Sequence, residues 1–420
     1  MFFHKRFFIW RRGRDLNPRS TVRRTSAFQA NALGHYATPP HKAILVAPFS
    51  AILSSLGYNQ VMKLVIFAGG TGTRLWPLSR KNFPKQFIKM FNNKSTLQLA
   101  VDRVKKPFGL NNIIISTNEA YVSMTKSEVP EIPVSNIVGE PEKRDVAPAV
   151  GLNLMRLKKQ GYKGPVALLW ADHLITNIAG YLELLKTSED FVRKNPTKMV
   201  FVGEKPRFAD NNIGWIKIGG ELTDKGFYAY KSWKYKPDFD ACADMYKSGE
   251  WVWNSGYVVE DLDFALSLFE TLQPELFSGL RRIYDALGTS KESQVVKEVY
   301  PKLPKVSHDN AISEKVTGDQ AVVFLADIGF SDPGTLYVLK KALESDESAN
   351  VEVGLTSLSD SHDTMVFNKE VGKLVAGIGL DGMVIVNTKD AVLVVPKNKV
   401  LGVSKFVETL AADPKLKKFI

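Results

Sequence analysis

The order of strand-like and helix-like segments after residue 62 limits the possible folds of this chain more than any other feature. Short apolar runs rich in β-branched residues recur, separated by segments with apolar residues every three or four positions. The strand-like runs cover residues 64–67, 113–116, 134–138, 166–169 and 199–202, and the main helical segments cover 96–105, 147–160 and 179–194. This alternation predicts an α/β fold with a mostly parallel central sheet covered by helices on both faces.

The pattern changes twice further along the chain. Residues 213–260 contain shorter strand-like segments interleaved with aromatic side chains, which we interpret as an inserted substrate-binding region. Helical segments, a buried strand and a last helix follow, at residues 262–269, 274–287, 321–325 and about 334–343. We assign residues 62–345 to one domain. Residues 351–420 have short β segments broken by Gly, Asn and Asp and a Lys-rich terminal helix, so they are predicted to form a small β appendage.

The first 61 residues differ from the rest in charge. They hold nine Lys or Arg and one acid, Asp15, so most of the net charge of +12 lies in this segment. The remainder is close to neutral, which predicts no nucleic-acid partner. We interpret residues 1–61 as a disordered basic leader or an upstream extension of the reading frame, with an organellar transit peptide as the alternative.

Cysteine content and hydropathy indicate the compartment. The one cysteine, Cys242, cannot form an internal disulfide, and no apolar run reaches the roughly 20 residues that a membrane-spanning helix needs. Apolar residues make up 44% of the chain and charged residues 24%, values typical of folded globular proteins. We therefore predict a cytoplasmic protein without a membrane partner.

The most informative motif is the segment FAGGTGTRLWPLSR at residues 67–80, here called the glycine loop. It directly follows the first strand, and its glycines allow backbone N–H groups to turn toward an anion. These glycines are Gly69, Gly70 and Gly72. Arg74 within the loop and Lys85 shortly after it supply cations for phosphate oxygens. The spacing matches neither the dinucleotide fingerprint nor the Walker A motif, so the loop predicts a different kind of phosphate site.

Two aspartates follow predicted strands. Asp172 comes directly after the strand at 166–169, and Asp332 lies between the strand at 321–325 and the last helix. The carboxyl ends of strands face the ligand crevice of an open α/β sheet, and carboxylates are ligands that Mg²⁺ prefers. Aspartates at such positions also serve as turn residues or helix caps, so the residues alone leave both roles open.

The glycine loop, together with Pro84-Lys85-Gln86-Phe87, resembles the opening motifs of the mannose-1-phosphate guanylyltransferases, a family of sugar-1-phosphate nucleotidyltransferases. The resemblance extends from Met62 to the C-terminus. It implies a Rossmann-like nucleotidyltransferase domain and a short β-helix-like appendage. It also implies transfer of GMP from GTP to mannose 1-phosphate, with Mg²⁺ as cofactor, GTP and mannose 1-phosphate as partners, and pyrophosphate as the second product.

The resemblance further implies roles for individual residues. The catalytic residues would be Arg74, Lys85, Asp172 and Asp332, the two aspartates as the Mg²⁺ ligands. The nucleotide would be bound by Gly69, Gly70, Gly72, Thr73, Arg74, Lys85, Glu140, Arg144 and Asp145. The sugar phosphate would be bound by Gly214, Lys236 and Asn254.

Several positions depart from the family's motifs and leave alternatives open. The departures are Asp145 and Val146 near the base, and Trp215, Tyr235, Phe330 and Leu336 on the sugar side. They leave open another nucleotide or another sugar 1-phosphate, such as glucose 1-phosphate. A non-catalytic, sugar-nucleotide-sensing subunit on the same fold is the alternative from a different class. The joint presence of the charged site residues favours an enzyme, and the β appendage is a candidate surface for a homodimer.

Overall fold

The computed structural model describes residues 60–70, 72–91, 93–211, 213–223 and 225–420, so the predictions for residues 1–59 lie outside the described residues. Residues 60 and 61 already contact the folded body. The carbonyl oxygen of Gln60 accepts a hydrogen bond from Arg193 at 2.6 Å, and that of Val61 accepts one from Tyr162 at 3.3 Å. Within the described ranges, no helix is long and apolar enough to cross a membrane.

The strands and helices follow one another in the order that the sequence predicts. In chain order the strands are β1 (Lys63–Phe67), β2 (Lys89–Phe91), β3 (Lys94–Ser95), β4 (Ile113–Asn118), β5 (Ile137–Glu140), β6 (Pro165–Trp170), β7 (Leu174–Ile175), β8 (Met199–Glu204), β9 (Trp215–Thr223), β10 (Phe227–Lys234), β11 (Trp251–Asp261), β12 (Ala321–Ala326), β13 (Phe330–Ser331), β14 (Val351–Val353), β15 (Thr356–Ser359), β16 (Met365–Asn368), β17 (Val375–Ile378), β18 (Met383–Asn387) and β19 (Val392–Pro396). The helices are α1 (Thr96–Phe108), α2 (Val122–Glu128), α3 (Val146–Lys159), α4 (Ile178–Lys194), α5 (Phe239–Ser248), α6 (Leu262–Leu272), α7 (Pro274–Ala286), α8 (Glu292–Val299), α9 (Leu336–Leu343) and α10 (Val403–Ala412).

The described residues form a central sheet of nine strands in the order β5-β4-β1-β6-β11-β8-β12-β10-β9. Seven strands run in one direction, and β10 and β11 run in the opposite one. The predicted α/β fold with a mostly parallel sheet is confirmed. The aromatic segment at 213–260 is not a separate insertion, because it supplies β9 and β10 at one edge and β11 at the centre of this sheet.

Side chains of each central strand alternate between two buried clusters, one on each face of the sheet. In β1, Leu64 and Ile66 contribute to the cluster beneath α1 and α4, whereas Val65 and Phe67 contribute to the cluster beneath α3, α6 and α7. A strand that is buried on both faces needs a continuous apolar run, since successive side chains point to opposite sides. The short β-branched runs of the sequence are therefore the centre of the sheet.

Two elements were predicted to start two or three residues too early. The strand predicted from 134 begins at Ile137, because Pro133 starts a tight turn over residues 134–136. The last helix begins at Leu336 rather than near 334. Thr335 has an extended backbone and its hydroxyl accepts a hydrogen bond from the Val338 amide at 3.3 Å, which makes it the N-cap.

The β appendage has short parallel strands arranged in successive coils. Strand β16 pairs in parallel with β14 and β18, while β15 and β17 form a second parallel pair. Asn368 and Asn387 lie at equivalent positions of neighbouring coils, and the Asn387 side-chain amide donates to Asn368 Oδ1 at 2.7 Å. The predicted β-helix-like character is confirmed, and α10 follows the last strand.

A carboxyl group on β11 leads to a prediction about stability and pH. Glu260 is 1% exposed, neither of its oxygens has a hydrogen-bond partner among the described residues, and burial raises its pKa from 4.5 to about 8. The folded state therefore retains a proton that the unfolded chain releases above about pH 4.5, so stability falls as the pH rises from about 4.5 to about 8 and levels off above that. Glu260→Gln should raise Tm over the wild type by a margin that widens from pH 6 to pH 9, to about 3 °C or more. Differential scanning calorimetry of the wild type and the variant at each pH measures the two Tm values. A Tm difference that does not depend on pH would contradict the prediction.

Candidate active site

Lys85, Asp172 and Asp332 meet at the carboxyl end of the central strands. Lys85 Nζ lies 2.5 Å from Asp172 Oδ2 and 3.6 Å from Asp332 Oδ1. Asp172 follows β6 directly, whereas Asp332 is brought in by the pairing of β13 with β7, in which Ser331 lies opposite Leu174. This short antiparallel pair explains how two carboxylates far apart in sequence come to face one ammonium group.

The three charges stabilise one another in a largely buried setting. Burial alone would lower the pKa of Lys85, but the carboxylates of Asp172 and Asp332 outweigh it and raise that pKa. Burial alone would raise the pKa of Asp172, but the Lys85 ammonium holds it well below its usual range. Lys85 and Asp172 are therefore both charged at neutral pH. Burial lowers the pKa of His173, whose ring contacts Tyr257 and Phe330 edge to face. This packing indicates that His173 has a structural role.

A cavity of about 260 Å³ lies beside the glycine loop and is here called the glycine-loop cavity. Its walls are Phe67, Ala68, Gly69, Gly70, Gln86, Glu140, Lys143, Asp145, Val146, Ala149, Trp170, Ala171 and Asp172. The structure thus brings together residues from the ends of β1, β5 and β6. Four residues predicted to bind the nucleotide line this cavity, namely Gly69, Gly70, Glu140 and Asp145.

A second cavity of about 260 Å³ lies beneath the curved strand β11 and is here called the β11 cavity. All three residues predicted to bind the sugar phosphate line it, together with Asp172 and Asp332. These three residues are Gly214, Lys236 and Asn254. Trp170, Asp172 and Val146 line both cavities. Molecules bound in the two cavities would therefore approach each other across Asp172.

The geometry of the glycine loop depends on Gly72. Its backbone is left-handed, with φ of 68°, and a Cβ there would lie 2.7 Å from Lys85 Cβ, so no other residue fits without displacing Lys85. The next residue, Thr73, is exposed and begins a single turn over Thr73–Leu75. The Arg74 guanidinium lies beside the turn of Asp332, since a Cβ on Gly334 would lie 3.6 Å from Arg74 Nη2 and 3.3 Å from Asp332 Oδ1.

The three residues predicted to lie near the nucleotide base occupy different environments. Glu140 is buried, accepts hydrogen bonds from Tyr300 at 2.8 Å and Ser116 at 3.3 Å, and has its pKa raised to about 7 by burial. Asp145 is exposed, has φ of 67° and caps α3 by accepting from the Val146 amide. Arg144 lies on neither cavity wall. Its Nε donates to the carbonyl oxygen of Leu303 at 2.8 Å, so the side chain links the segment before α3 to the segment that follows α8.

An irregularity in β11 aims Asn254 at the β11 cavity. Pairing of β11 with β8 is interrupted between Asn254 and Val258, and Gly256 there has φ of 79°. The Asn254 side-chain oxygen accepts from the Gly256 amide at 2.9 Å, and Trp170 Nε1 donates to the Gly256 carbonyl at 2.8 Å. A Cβ on Gly256 would lie 2.6 Å from Trp170 Nε1, so glycine is required here. The backbone N–H of Asn254 also donates to the backbone carbonyl of Gly214 at 2.8 Å.

Sequence reasoning missed three residues at the cavities. Gln86 is buried, lines the glycine-loop cavity and donates to the Ala68 carbonyl at 2.7 Å. His308 and Asp309 line the β11 cavity; burial lowers the pKa of His308 to about 4 and raises that of Asp309 to about 6. Gln86 belongs to the Pro84-Lys85-Gln86-Phe87 motif, which was the signal for its position near the site. The only signal for the other two was a short polar stretch between apolar runs, which is equally typical of a surface loop.

The carboxylates of Asp172 and Asp332 suit a magnesium ion. Asp332 Oδ1 is buried and accepts no hydrogen bond from the described residues, and the nearest cation is the Lys85 ammonium. No group of three or more His, Cys, Asp or Glu side chains that could hold a metal occurs among the described residues. Two carboxylates without further protein ligands agree with Mg²⁺, which commonly keeps several waters and takes its other ligands from substrate phosphates.

Two protein families match parts of this chain. Residues 63–296 match the nucleotidyl transferase family, and residues 358–410 match the MannoseP isomerase/GMP-like beta-helix domain. Since the first match covers more than half of the chain, the chain belongs to the nucleotidyl transferases. The second match covers strands β16 to β19, the end of β15 and most of helix α10.

Similar proteins of known name identify the family to which the chain belongs within the nucleotidyl transferases. The chain is 31% identical over 351 residues to the mannose-1-phosphate guanylyltransferases of Klebsiella pneumoniae and Escherichia coli, which covers 82% of this chain and 73% of each relative. Within the nucleotidyl transferases it is therefore a member of the mannose-1-phosphate guanylyltransferase family. A solved structure from Thermus thermophilus, described as a mannose-1-phosphate geranyltransferase, is 26% identical with a TM-score of 0.75, covering 84% of this chain and 99% of that one.

The contact of Lys85 with both carboxylates generates a prediction about metal affinity. Lys85→Gln removes the ammonium that competes with a cation, so Mg²⁺ binding in the absence of nucleotide should tighten, by about tenfold. Titration calorimetry with MgCl₂ alone measures this. Adding Asp332→Asn to the same variant should weaken the binding again. Equal Mg²⁺ affinity in the wild type and Lys85→Gln would contradict the assignment of the two aspartates.

Proposed function

We propose that this chain transfers GMP from GTP to mannose 1-phosphate, forming GDP-mannose and pyrophosphate. The observation that carries the proposal is the pair of cavities that share Asp172 as a wall, one beside the glycine loop and one beneath β11. A reaction that joins a nucleotide to a sugar phosphate needs two sites that open onto one reacting centre. The names of the relatives supply the substrate pair.

The reaction is a single in-line displacement. A phosphate oxygen of mannose 1-phosphate attacks the α-phosphorus of GTP, and the bond from that phosphorus to the oxygen bridging the β-phosphate breaks. Its electron pair leaves with pyrophosphate. The attacking phosphate is already ionised at neutral pH, so no general base and no covalent enzyme intermediate are needed. Catalysis then consists of positioning and neutralisation of charge.

The nucleotide would occupy the glycine-loop cavity. Backbone amides of Gly69, Gly70, Gly72 and Thr73 would bind the triphosphate, with Arg74 and Lys85 as the neutralising cations. Asp145 lines this cavity with an exposed carboxylate and can accept from the N1 and N2 donors of guanine. Glu140 gives its hydrogen-bonding capacity to Tyr300 and Ser116, so its contribution is to shape the base site.

The sugar phosphate would occupy the β11 cavity. Lys236 would bind the phosphate, and Asn254 and Gly214 would contact the sugar. Asp309 adds a half-buried carboxyl group to the same cavity, and Lys236 is among the charges that act on it. Tyr235 stands where the family has a glutamate. Asp309 would therefore accept hydrogen bonds from sugar hydroxyls, while Asp172 and Asp332 of the same cavity are assigned to Mg²⁺.

Asp172 and Asp332 would hold Mg²⁺. The ion would supply positive charge for the phosphate oxygens of the nucleotide. Lys85 provides a positive charge beside the same carboxylates, so its ammonium and the ion would share the negative charge of Asp172 and Asp332. We also propose that the protein acts in the cytoplasm and that the β appendage contributes to a homodimer.

The proposed function is tested by the release of pyrophosphate from the full chain with MgCl₂. Four nucleoside triphosphates are crossed with mannose, glucose and N-acetylglucosamine 1-phosphates. We expect the highest kcat/KM for GTP with mannose 1-phosphate. A preference for another pair would overturn the substrate assignment. No turnover with any pair, together with calorimetric binding of GDP-mannose, would favour the sensing subunit.

Asp172→Asn is the matched test of the catalytic centre. It removes the charge shared by both cavities while keeping the size of the side chain, so kcat should fall by about 10²- to 10³-fold. The control is Asp263→Asn on the surface of α6, where the carboxylate pairs only with Lys158 among the described residues. Full activity in Asp172→Asn would mean that Asp172 does not act in the reaction.

A further inference from the structure

The second half of the glycine loop faces the β appendage rather than a ligand cavity. Leu75, Trp76 and Leu78 are buried in a cluster of their own, separate from the two clusters of the central sheet. The other members of this cluster come mainly from the appendage, including Met365, Phe367, Val384, Val386, Val403 and Val407. Helix α10 lies directly against the turn Thr73–Leu75. The loop thus has one side toward the phosphates and one side toward the appendage.

Two polar contacts reinforce this apolar interface. Trp76 Nε1 donates to the carbonyl oxygen of Phe419 at 2.7 Å, and the Trp76 ring lies edge to face with Phe406. Arg80 Nη2 lies 2.7 Å from Asp390 Oδ1, and the Arg80 guanidinium covers the Trp76 ring at 5.5 Å. Thr388 donates to Asp390 Oδ1 at 3.2 Å, which holds that carboxylate in place.

These contacts lie within a few residues of the groups that face the substrates. The Ser79 hydroxyl donates to the carbonyl oxygen of Gly72, whose backbone lies against the side-chain stem of Lys85. Arg74 directly precedes Leu75, and its guanidinium lies beside the turn of Asp332. A displacement at Trp76 or Arg80 would therefore be passed through short, packed connections to Lys85 and Arg74.

We propose that the β appendage is a positioning element of the nucleotide site, acting through the Arg80–Asp390 ion pair and the Trp76–Phe419 hydrogen bond. Asp390 pairs with Arg80, and the Phe419 carbonyl accepts from Trp76; neither Arg80 nor Trp76 lines a cavity, so the appendage would act on the site through these two residues. The inference rests on the proposed function only in taking GTP as the ligand of the glycine loop. It adds that the appendage, outside the nucleotidyl transferase match, sets the affinity of that loop.

The physical reason is preorganisation. Several amides and two cations must converge on one triphosphate, and a loop that is already ordered loses less conformational entropy on binding. The β11 cavity is lined entirely by residues before position 333, and none of them belongs to the appendage. A loosened contact with the appendage should therefore weaken the use of GTP and leave the use of mannose 1-phosphate unchanged.

The central test is Asp390→Asn in the full chain. We expect kcat/KM for GTP to fall by about tenfold through a higher KM, while KM for mannose 1-phosphate changes less than about twofold. Because Asp390 is half exposed, Tm should change by no more than about 2 °C. Asp390→Glu keeps the charge and should retain most of the GTP affinity. The control is Glu131→Gln, which breaks a similarly exposed ion pair with Lys105, 3.0 Å long, on α1.

A second measurement is independent of turnover. Amide hydrogen exchange over residues 72–76 should be faster in Asp390→Asn and in Trp76→Phe than in the wild type and in Glu131→Gln. Trp76→Phe retains an aromatic ring but loses the indole N–H donor and part of the buried side-chain volume. If wild-type turnover is absent, the proposed function fails and the exchange rates alone decide the inference. Unchanged loop exchange, or an equal loss of affinity for both substrates, would overturn it.

Discussion

The ammonium of Lys85 between the carboxylates of Asp172 and Asp332 is the interaction on which the rest of the site depends. These groups come from the glycine-loop region, from the end of β6 and from the β7–β13 pair, so their meeting requires the sheet, the loop and the late strand to be in place together. Removing one group of a partly buried cluster of opposite charges leaves the others without full compensation, which is unfavourable. The cluster therefore ties correct folding to correct placement of charge.

The same cluster gives the two cavities a common boundary. On one side, left-handed Gly72 lies against the stem of Lys85, and Gly69 and Gly70 of the same loop line the glycine-loop cavity. On the other side, the irregular part of β11 aims Asn254 into the β11 cavity, with Trp170 supporting Gly256 from β6. Strand β11 is thus both a central strand and a wall of the site. Its first half pairs with β9, its second half with β6, and β8 pairs with it on either side of the irregularity.

The sequence was sufficient for the fold class and for placing Asp172 at the carboxyl end of the sheet. Asp172 follows the buried strand β6, where local pattern and tertiary placement agree. The sequence was insufficient where placement depends on contacts distant in sequence. Asp309 enters its cavity from a loop with no periodic pattern, and Trp76, quoted within the glycine loop, faces the C-terminal residues instead of the nucleotide. Arg144 binds the Leu303 carbonyl, a contact that no motif encodes.

The most direct test of this account is a crystal structure of the full chain with GDP-mannose and Mg²⁺. The account predicts guanosine in the glycine-loop cavity, mannose in the β11 cavity near Asn254 and Asp309, and the diphosphate passing Asp172. Lys85 Nζ should lie closer to a phosphate oxygen than to Asp332. GDP-mannose bound in one cavity alone, or a diphosphate remote from Asp172, would contradict the claim that the two cavities serve one reacting centre.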